Sequence, residues 1–197
     1  MTLKIIAGRF RNRLLKSPKG TQTRPTSALL RKSVFDISQM FIENSRFLDL
    51  FAGSGAMGIE ALSRGAKHAT FVDKDKNALR AIEENIHLLQ IEKECTVLAG
   101  EAFIILKRLK EKKEQFDLIY IDPPYVKEDK KGSSLYEKIL HFLEENDLIA
   151  NGAKVFVEEG HPSILNPQSL ALKHLKFKDT RRFGISVLHQ FYTNYHD

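Results

Sequence analysis

From residue 46 to residue 158 the chain alternates short apolar runs with longer stretches in which apolar side chains recur every three or four positions. Runs at 46–50, 69–73, 95–99, 116–121 and 153–158 have the length and bounding polar residues of buried strands. The stretches between them, 56–64, 75–90, 102–113 and 134–146, have helical spacing. In the second helix Leu79, Ile82, Ile86 and Leu89 share a face, and in the fourth Leu135, Ile139, Phe142 and Leu143 do so. Such a βαβ succession demands a parallel sheet covered on both faces by helices. The end of the chain breaks the pattern. Segments 170–177 and 185–193 read as strands joined by 178–184, which leaves no room for a crossover helix. They are expected to pair as an antiparallel hairpin, completing seven strands.

The region ahead of the sheet is organised differently. Residues 3–15 read as two short strands around Gly8-Arg9, followed by a Ser-Pro-Lys-Gly turn at 17–20. Thr26 is placed to cap a helix whose apolar positions are Leu30, Val34, Ile37 and Phe41. The expectation is a small N-terminal β-hairpin extension, 1–24, in front of one α/β domain, 25–197. Segment 127–133, charged and glycine-containing, is the candidate for a mobile loop.

Composition narrows the function classes. A chain of 197 residues suits one α/β domain with a sizeable core, and 42% hydrophobic with 28% charged residues is ordinary for a globular protein. The single cysteine, Cys95, excludes an intrachain disulfide framework and a cysteine-based zinc cluster. It lies in a strand-like run, a poor setting for a reactive thiol. There is no apolar run of about 20 residues to span a membrane and no signal-peptide core, so the expected location is cytoplasmic. The histidines show no metal-ligand spacing. The net charge of +6 is concentrated: nine of the 31 lysines and arginines, and none of the 25 acids, lie in the first 35 residues. Basic and apolar residues alternate there, which suits a hairpin that contacts phosphates better than a solvated tail. Arg9, Arg11 and Arg13 are its candidate contacts.

The chemistry is carried by two motifs. Residues 51–58 read FAGSGAMG between an apolar run and a helix-like stretch. A strand turning directly into a helix, with a ligand close to the backbone, needs glycine where φ is positive or a Cβ would intrude. Gly53, Gly55 and Gly58 supply this, and Gly58 would let the helix pack tightly on the sheet. With Asp73 twenty residues after Gly53, these positions also satisfy the dinucleotide fingerprint, so NAD or FAD is an alternative at this point. A glycine turn without a ligand is the plainer alternative.

The second motif, Asp122-Pro123-Pro124-Tyr125, follows the run 118–121 and favours S-adenosylmethionine (SAM). An amine on an aromatic ring is a weak nucleophile because its lone pair is delocalised. The Asp122 carboxylate and the Pro123 carbonyl can accept its N–H groups and aim the lone pair, which is electrostatic positioning. The prolines stiffen the loop and leave its carbonyls free to accept, and Tyr125 can stack on a base. Such a site methylates a planar exocyclic amine and needs no metal. The seven-stranded sheet with an antiparallel final pair is also the shape of the class I SAM-dependent methyltransferase (Rossmann-like) fold.

The blocks KIIAGRFRNRLL, TRPTSALLRKSVFDI, FLDLFAGSGAMGIEALSRGA, DPPY and RRFGISVLHQFY resemble the RsmD-type methyltransferases, over residues 3–193. The resemblance implies transfer of a methyl group from SAM to guanine N2 in small-subunit ribosomal RNA, by a monomer. It places Asp49 beside the methionine amino group (or as a helix cap) and Asp73 at the ribose. Glu101 would face the adenine amino group, with the Ala102 N–H toward the ring. Phe51 and Lys74 complete the cofactor-facing set. Arg24 and Thr26, flanking Pro25, and Arg181-Arg182 on the terminal hairpin become further RNA contacts. The chain departs from the pattern at Ala7 and Asn12, where glycine is usual, and at Lys32, where glutamate is usual. The closest alternative is a DNA adenine-N6 or cytosine-N4 methyltransferase, for which the chain lacks a DNA-reading insert.

Overall fold

A computed structural model describes residues 3–18, 27–124, 134–160 and 165–194. The proposed mobile segment 127–133 lies outside them. The central sheet contains β3 (Arg46–Leu50), β4 (His68–Asp73), β5 (Cys95–Ala99), β6 (Phe116–Ile121), β7 (Ile149–Gly160), β8 (Leu175–Phe183) and β9 (Ser186–Thr193), in the spatial order β5-β4-β3-β6-β7-β9-β8. The first five run parallel, while β9 is antiparallel to both β7 and β8. This is the expected class I arrangement.

Helices cover both faces because the strand side chains alternate. Phe47, Phe71, Leu118, Tyr120 and Phe156 face one core, packed with α1 (Ala28–Ile37), α2 (Ala56–Ser63) and α3 (Lys76–Leu89). Leu48, Leu50, Val72, Ile119, Ile121, Val155 and Val157 face the other, with α4 (Ala102–Glu111) and α5 (Leu135–Glu145). Fully buried parallel strands therefore read as continuous apolar runs rather than as alternating ones.

Several local expectations are corrected. The cap of α1 is Ser27, whose side chain accepts the Leu30 N–H; Thr26 falls outside the described residues. Helix α1 ends at Ile37, so Phe41 lies beyond it and is 36% exposed. Leu79 is only half-buried, and Ala78 and Ala81 fill the core face of α3 instead. The first strand of the terminal hairpin lies about five residues later than expected: β8 begins at Leu175, and residues 170–174 are outside it. Residues 178–183 continue β8 through a bulge near Lys178, and the turn is confined to Gly184-Ile185. A bulge disrupts the period-2 pattern, which is why the sequence reads there as a loop.

The N-terminal segment pairs β1 (Leu3–Lys4) with β2 (Leu14–Leu15) and is docked on the body rather than held apart from it. Leu3, Ile5 and Leu15 belong to the same core as α2 and α3. Glu60, in α2 and fully buried, accepts the backbone N–H groups of Ile6 at 2.8 Å and Ala7 at 2.9 Å. The Phe10 N–H is bonded to Ser63 Oγ, and the Arg9 N–H to the Ser63 carbonyl. Contact is so close that a Cβ on Gly8, whose φ is +78°, would lie 1.8 Å from that carbonyl.

Candidate functional site

The carboxyl ends of β5, β4, β3 and β6 lie side by side, so Glu101, Asp73, the glycine loop and Asp122 occupy one edge of the sheet in that order. Ligands of open α/β sheets bind at this edge. Successive positions are about 4.8 Å apart, the strand spacing.

The glycine loop is shaped by three consecutive demands. Phe51 has φ +68°, unusual for a residue with a Cβ, and its N–H and that of Ala52 both bond to the Val72 carbonyl. Gly53 and Gly55 follow at φ +56° and +75°. A Cβ on Gly53 would meet nothing within 4 Å, so its outer side is open to a ligand. At Gly58 a Cβ would sit 2.3 Å from the buried Phe71 ring, so glycine is what lets α2 lie against β4.

Two carboxylates hold this loop from beneath. Asp73 Oδ2 accepts the Gly53 N–H at 2.8 Å and its Oδ1 accepts the Asp75 N–H at 2.9 Å. Asp75 is the helix cap, bonded to Asn77 N and Ala78 N. Asp49, 2% exposed, accepts the Gly58 N–H at 2.9 Å and so caps α2 from the preceding strand. Asp49 is thus the helix cap, and it also borders the glycine loop. Burial pushes its carboxyl up to about 7, with the Gly58 N–H opposing and Asp73 reinforcing the shift.

Beyond β5, Glu101 stands at the start of α4 without capping it and pairs with Lys74 at 3.0 Å, both side chains well exposed. Ala102 begins α4 and is buried. Asp122 continues the β3–β6 ladder, its N–H bonded to the Leu50 carbonyl at 3.3 Å, and Pro123 and Pro124 follow it. Tyr125 lies outside the described residues, as do Arg24 and Thr26.

The basic candidates are dispersed. Arg9, Arg11 and Arg13 are exposed on the turn beside Ser63 and Glu94, at the opposite edge of the sheet from the glycine loop. Helix α2, eight residues and so about 12 Å long, separates them. Arg9 is paired with Glu94 and lies over the Phe10 ring. Arg181 and Arg182 are exposed on the edge strand β8, Arg181 bonded to Asp179 and Arg182 to the Gly184 carbonyl. Cys95 is in β5, its thiol pushed up to about 12 by burial and by Glu94 and Glu92. Among the described residues no helix is long and apolar enough to cross a membrane, and no cluster of three metal-type side chains occurs.

The sequence reading missed Glu60 and Asn85. Both are charged or polar helix positions with zero exposure. Glu60 had a signal: every other residue of α2 is apolar or small, so a charge there has no solvent face to occupy.

The chain is similar to known proteins over nearly its whole length. It is 31% identical over 193 residues to ribosomal RNA small subunit methyltransferase D of Haemophilus influenzae, covering 98% of this chain and 94% of that one. The Escherichia coli protein of the same name is 33% identical over 160 residues, covering 79% and 74%. The solved structure of yhhF from Escherichia coli superposes with a TM-score of 0.80 at 25% identity, covering 100% of both chains. The family described as Conserved hypothetical protein 95, to which the RsmD-type methyltransferases belong, matches residues 3–192, and this chain is a member of it.

Proposed function

We propose that the protein transfers a methyl group from SAM to the exocyclic N2 amine of a guanine in small-subunit ribosomal RNA. The observation that carries this reading is the placement of Asp122-Pro123-Pro124 one strand away from the glycine loop at the ligand-binding edge. The relatives' action on small-subunit ribosomal RNA supports the substrate class.

The residues present fit the cofactor. Asp73 is set to accept the ribose hydroxyls, and Glu101 with the Ala102 N–H to bound the adenine. Open space over Gly53 admits the backbone-hugging part of the ligand, flanked by Phe51, Gly55 and Lys74. Asp49 offers a negative charge to the methionine ammonium. When bound, SAM supplies an electrophilic sulfonium methyl. Asp122 and the Pro123 carbonyl accept the guanine N–H groups and aim the nitrogen lone pair, Pro124 stiffens the loop, and Tyr125 stacks on the base. As the N–C bond forms and the C–S bond breaks, the nitrogen becomes cationic. Its proton then passes to Asp122 or water.

SAM affinity is expected to depend on pH through Asp49. Its pKa in the free protein is raised to about 7, so the carboxylate that pairs with the ammonium is lost as pH falls through that value. Calorimetry between about pH 8 and pH 6 is expected to show weakening of up to about tenfold per unit, a dependence absent in Asp49→Asn. For stability the sign is opposite. A raised carboxyl pKa contributes stability at low pH that is lost as pH rises through about 7.

RNA phosphates are contacted by Arg9, Arg11 and Arg13, with Arg24, Thr26, Arg181 and Arg182 as further contacts. Neutralising Arg9, Arg11 and Arg13 together is expected to weaken RNA binding and flatten its log–log salt dependence by up to about three counterions of slope. SAM affinity stays unchanged. An unaltered slope means the turn serves only as structure. The reaction itself is tested with purified protein, SAM and unmodified ribosomal RNA: nucleoside analysis is expected to yield N2-methylguanosine, whereas N6-methyladenosine or no product contradicts the assignment.

A further inference from the structure

Asn85 lies in α3, is fully buried, and touches both the cofactor loop and the N-terminal segment. Its Oδ1 accepts the Lys16 N–H at 2.8 Å, and its Nδ2 donates to the Lys16 carbonyl at 2.9 Å and to the Ser54 carbonyl at 3.1 Å. The side-chain amide thus pairs with Lys16 as a neighbouring strand would, extending β2 by one residue. The orientation of the amide is fixed by chemistry: the Lys16 N–H can only donate, so oxygen must face it. Ser54 lies between Gly53 and Gly55, two positive-φ positions of the glycine loop.

A second contact clamps the same point. Lys16 Nζ is 2.9 Å from Glu84 Oε2, one residue before Asn85. Lys16 is also where the hairpin ends and the chain departs toward Arg24-Pro25-Thr26. No other short side chain could replace this group. An ionised Asp cannot donate and a protonated one donates only once, Ser is too short to span three partners, and a buried apolar residue would leave three backbone groups without bonds.

We infer that Asn85 couples the N-terminal segment to the cofactor loop, so that binding of SAM or its product orders the segment and the segment in turn tightens cofactor binding. The coupling rests on the cofactor assignment above, and linkage requires it to act equally in both directions. Asn85 is a positioning residue: it touches neither ligand and acts through the backbone of Ser54 and Lys16.

Hydrogen exchange of the N-terminal segment, with and without S-adenosylhomocysteine, reads the coupling directly. In the wild-type protein the ligand is expected to slow exchange in peptides covering residues 3–18, although the turn at Arg9–Arg13 lies at the far edge of the sheet. In Asn85→Asp, which keeps the acceptor and loses both donors when ionised and one when protonated, S-adenosylhomocysteine binding is expected to weaken by roughly tenfold. At saturating ligand the added protection of 3–18 is expected to vanish while protection of the loop at 51–58 persists. If the wild-type segment exchanges identically with and without ligand, the inference is overturned without any need for the variant. Retained protection in Asn85→Asp overturns it equally. Failure of S-adenosylhomocysteine to bind the wild-type protein at all would instead overturn the cofactor assignment, and the coupling with it.

Discussion

Replacing Asp122 by alanine is expected to lower the rate of methyl transfer by about two to three orders of magnitude, the scale for losing one preorganised polar group at a reacting centre, about 3–4 kcal/mol. SAM binding should change little. Asp122 follows β6, whereas Asp49 and Asp73, the carboxylates proposed to face the cofactor, lie at the carboxyl ends of the neighbouring strands β3 and β4. The split matters because a residue that only stiffened the strand end would impair both. Single-turnover rates at saturating SAM, together with calorimetric affinities, separate the two. Near-wild-type turnover in a variant that binds SAM normally would remove Asp122 from the chemistry. Asp122→Asn is a useful companion, since the amide retains one acceptor for the guanine N–H but cannot take its proton.

The largest effect on stability is expected from Glu60→Ala. Glu60 is fully buried and bonds Ile6 N, Ala7 N and Arg64 Nε, the last at 2.8 Å; Arg31 Nε lies 3.7 Å away. Arg31 is itself 2% exposed, and its Nε and Nη1 have no hydrogen-bond partner. Burial lowers the pKa of this guanidinium and the Glu60 carboxylate opposes the shift. Removing Glu60 leaves a buried cation uncompensated and two backbone amides unbonded, a loss of about 3–5 kcal/mol by comparison with other broken buried pairs. Denaturant unfolding should show this as a lowered midpoint. A loss below about 1 kcal/mol would mean that the Glu60 bonds add little to the docking of the N-terminal segment, which its apolar side chains and the Ser63 and Asn85 contacts then hold.

The same cluster shows what a sequence conceals. The parallel core was legible because each strand is a short, mostly apolar run and the helices, α3 and α5 above all, carry a regular apolar face. The glycine loop was legible because Gly53, Gly55 and Gly58 meet backbone demands that few other residues can meet. Glu60 and Asn85 were not, because a polar residue within a helix normally faces water, and nothing local says that a segment fifty or seventy residues earlier will cover it. Ser27 and Thr26 are adjacent and chemically alike as caps, so only the backbone conformation distinguishes them. The bulge in β8 erased the alternation that marks an edge strand. The basic turn at Arg9–Arg13 was visible as charge, but its position across the sheet from the cofactor loop follows from how β1 and β2 pack on α2.

Docking of this turn also frames how a large substrate is held. With the cofactor loop at one edge of the sheet and Arg9–Arg13 at the other, an RNA contacting both must run along the side of the molecule, over α2 and the N-terminal segment. A single flexible nucleotide could not reach both.

Guanine-N2 methylation is read out by mapping methylated bases in small-subunit ribosomal RNA from cells that carry this gene, lack it, or carry Asp122→Ala in its place. One guanine is expected to bear an N2 methyl group in the first and to lose it in the other two. An unchanged methylation map in the deletion strain, or restoration of the mark by the Asp122→Ala protein, would contradict the assignment.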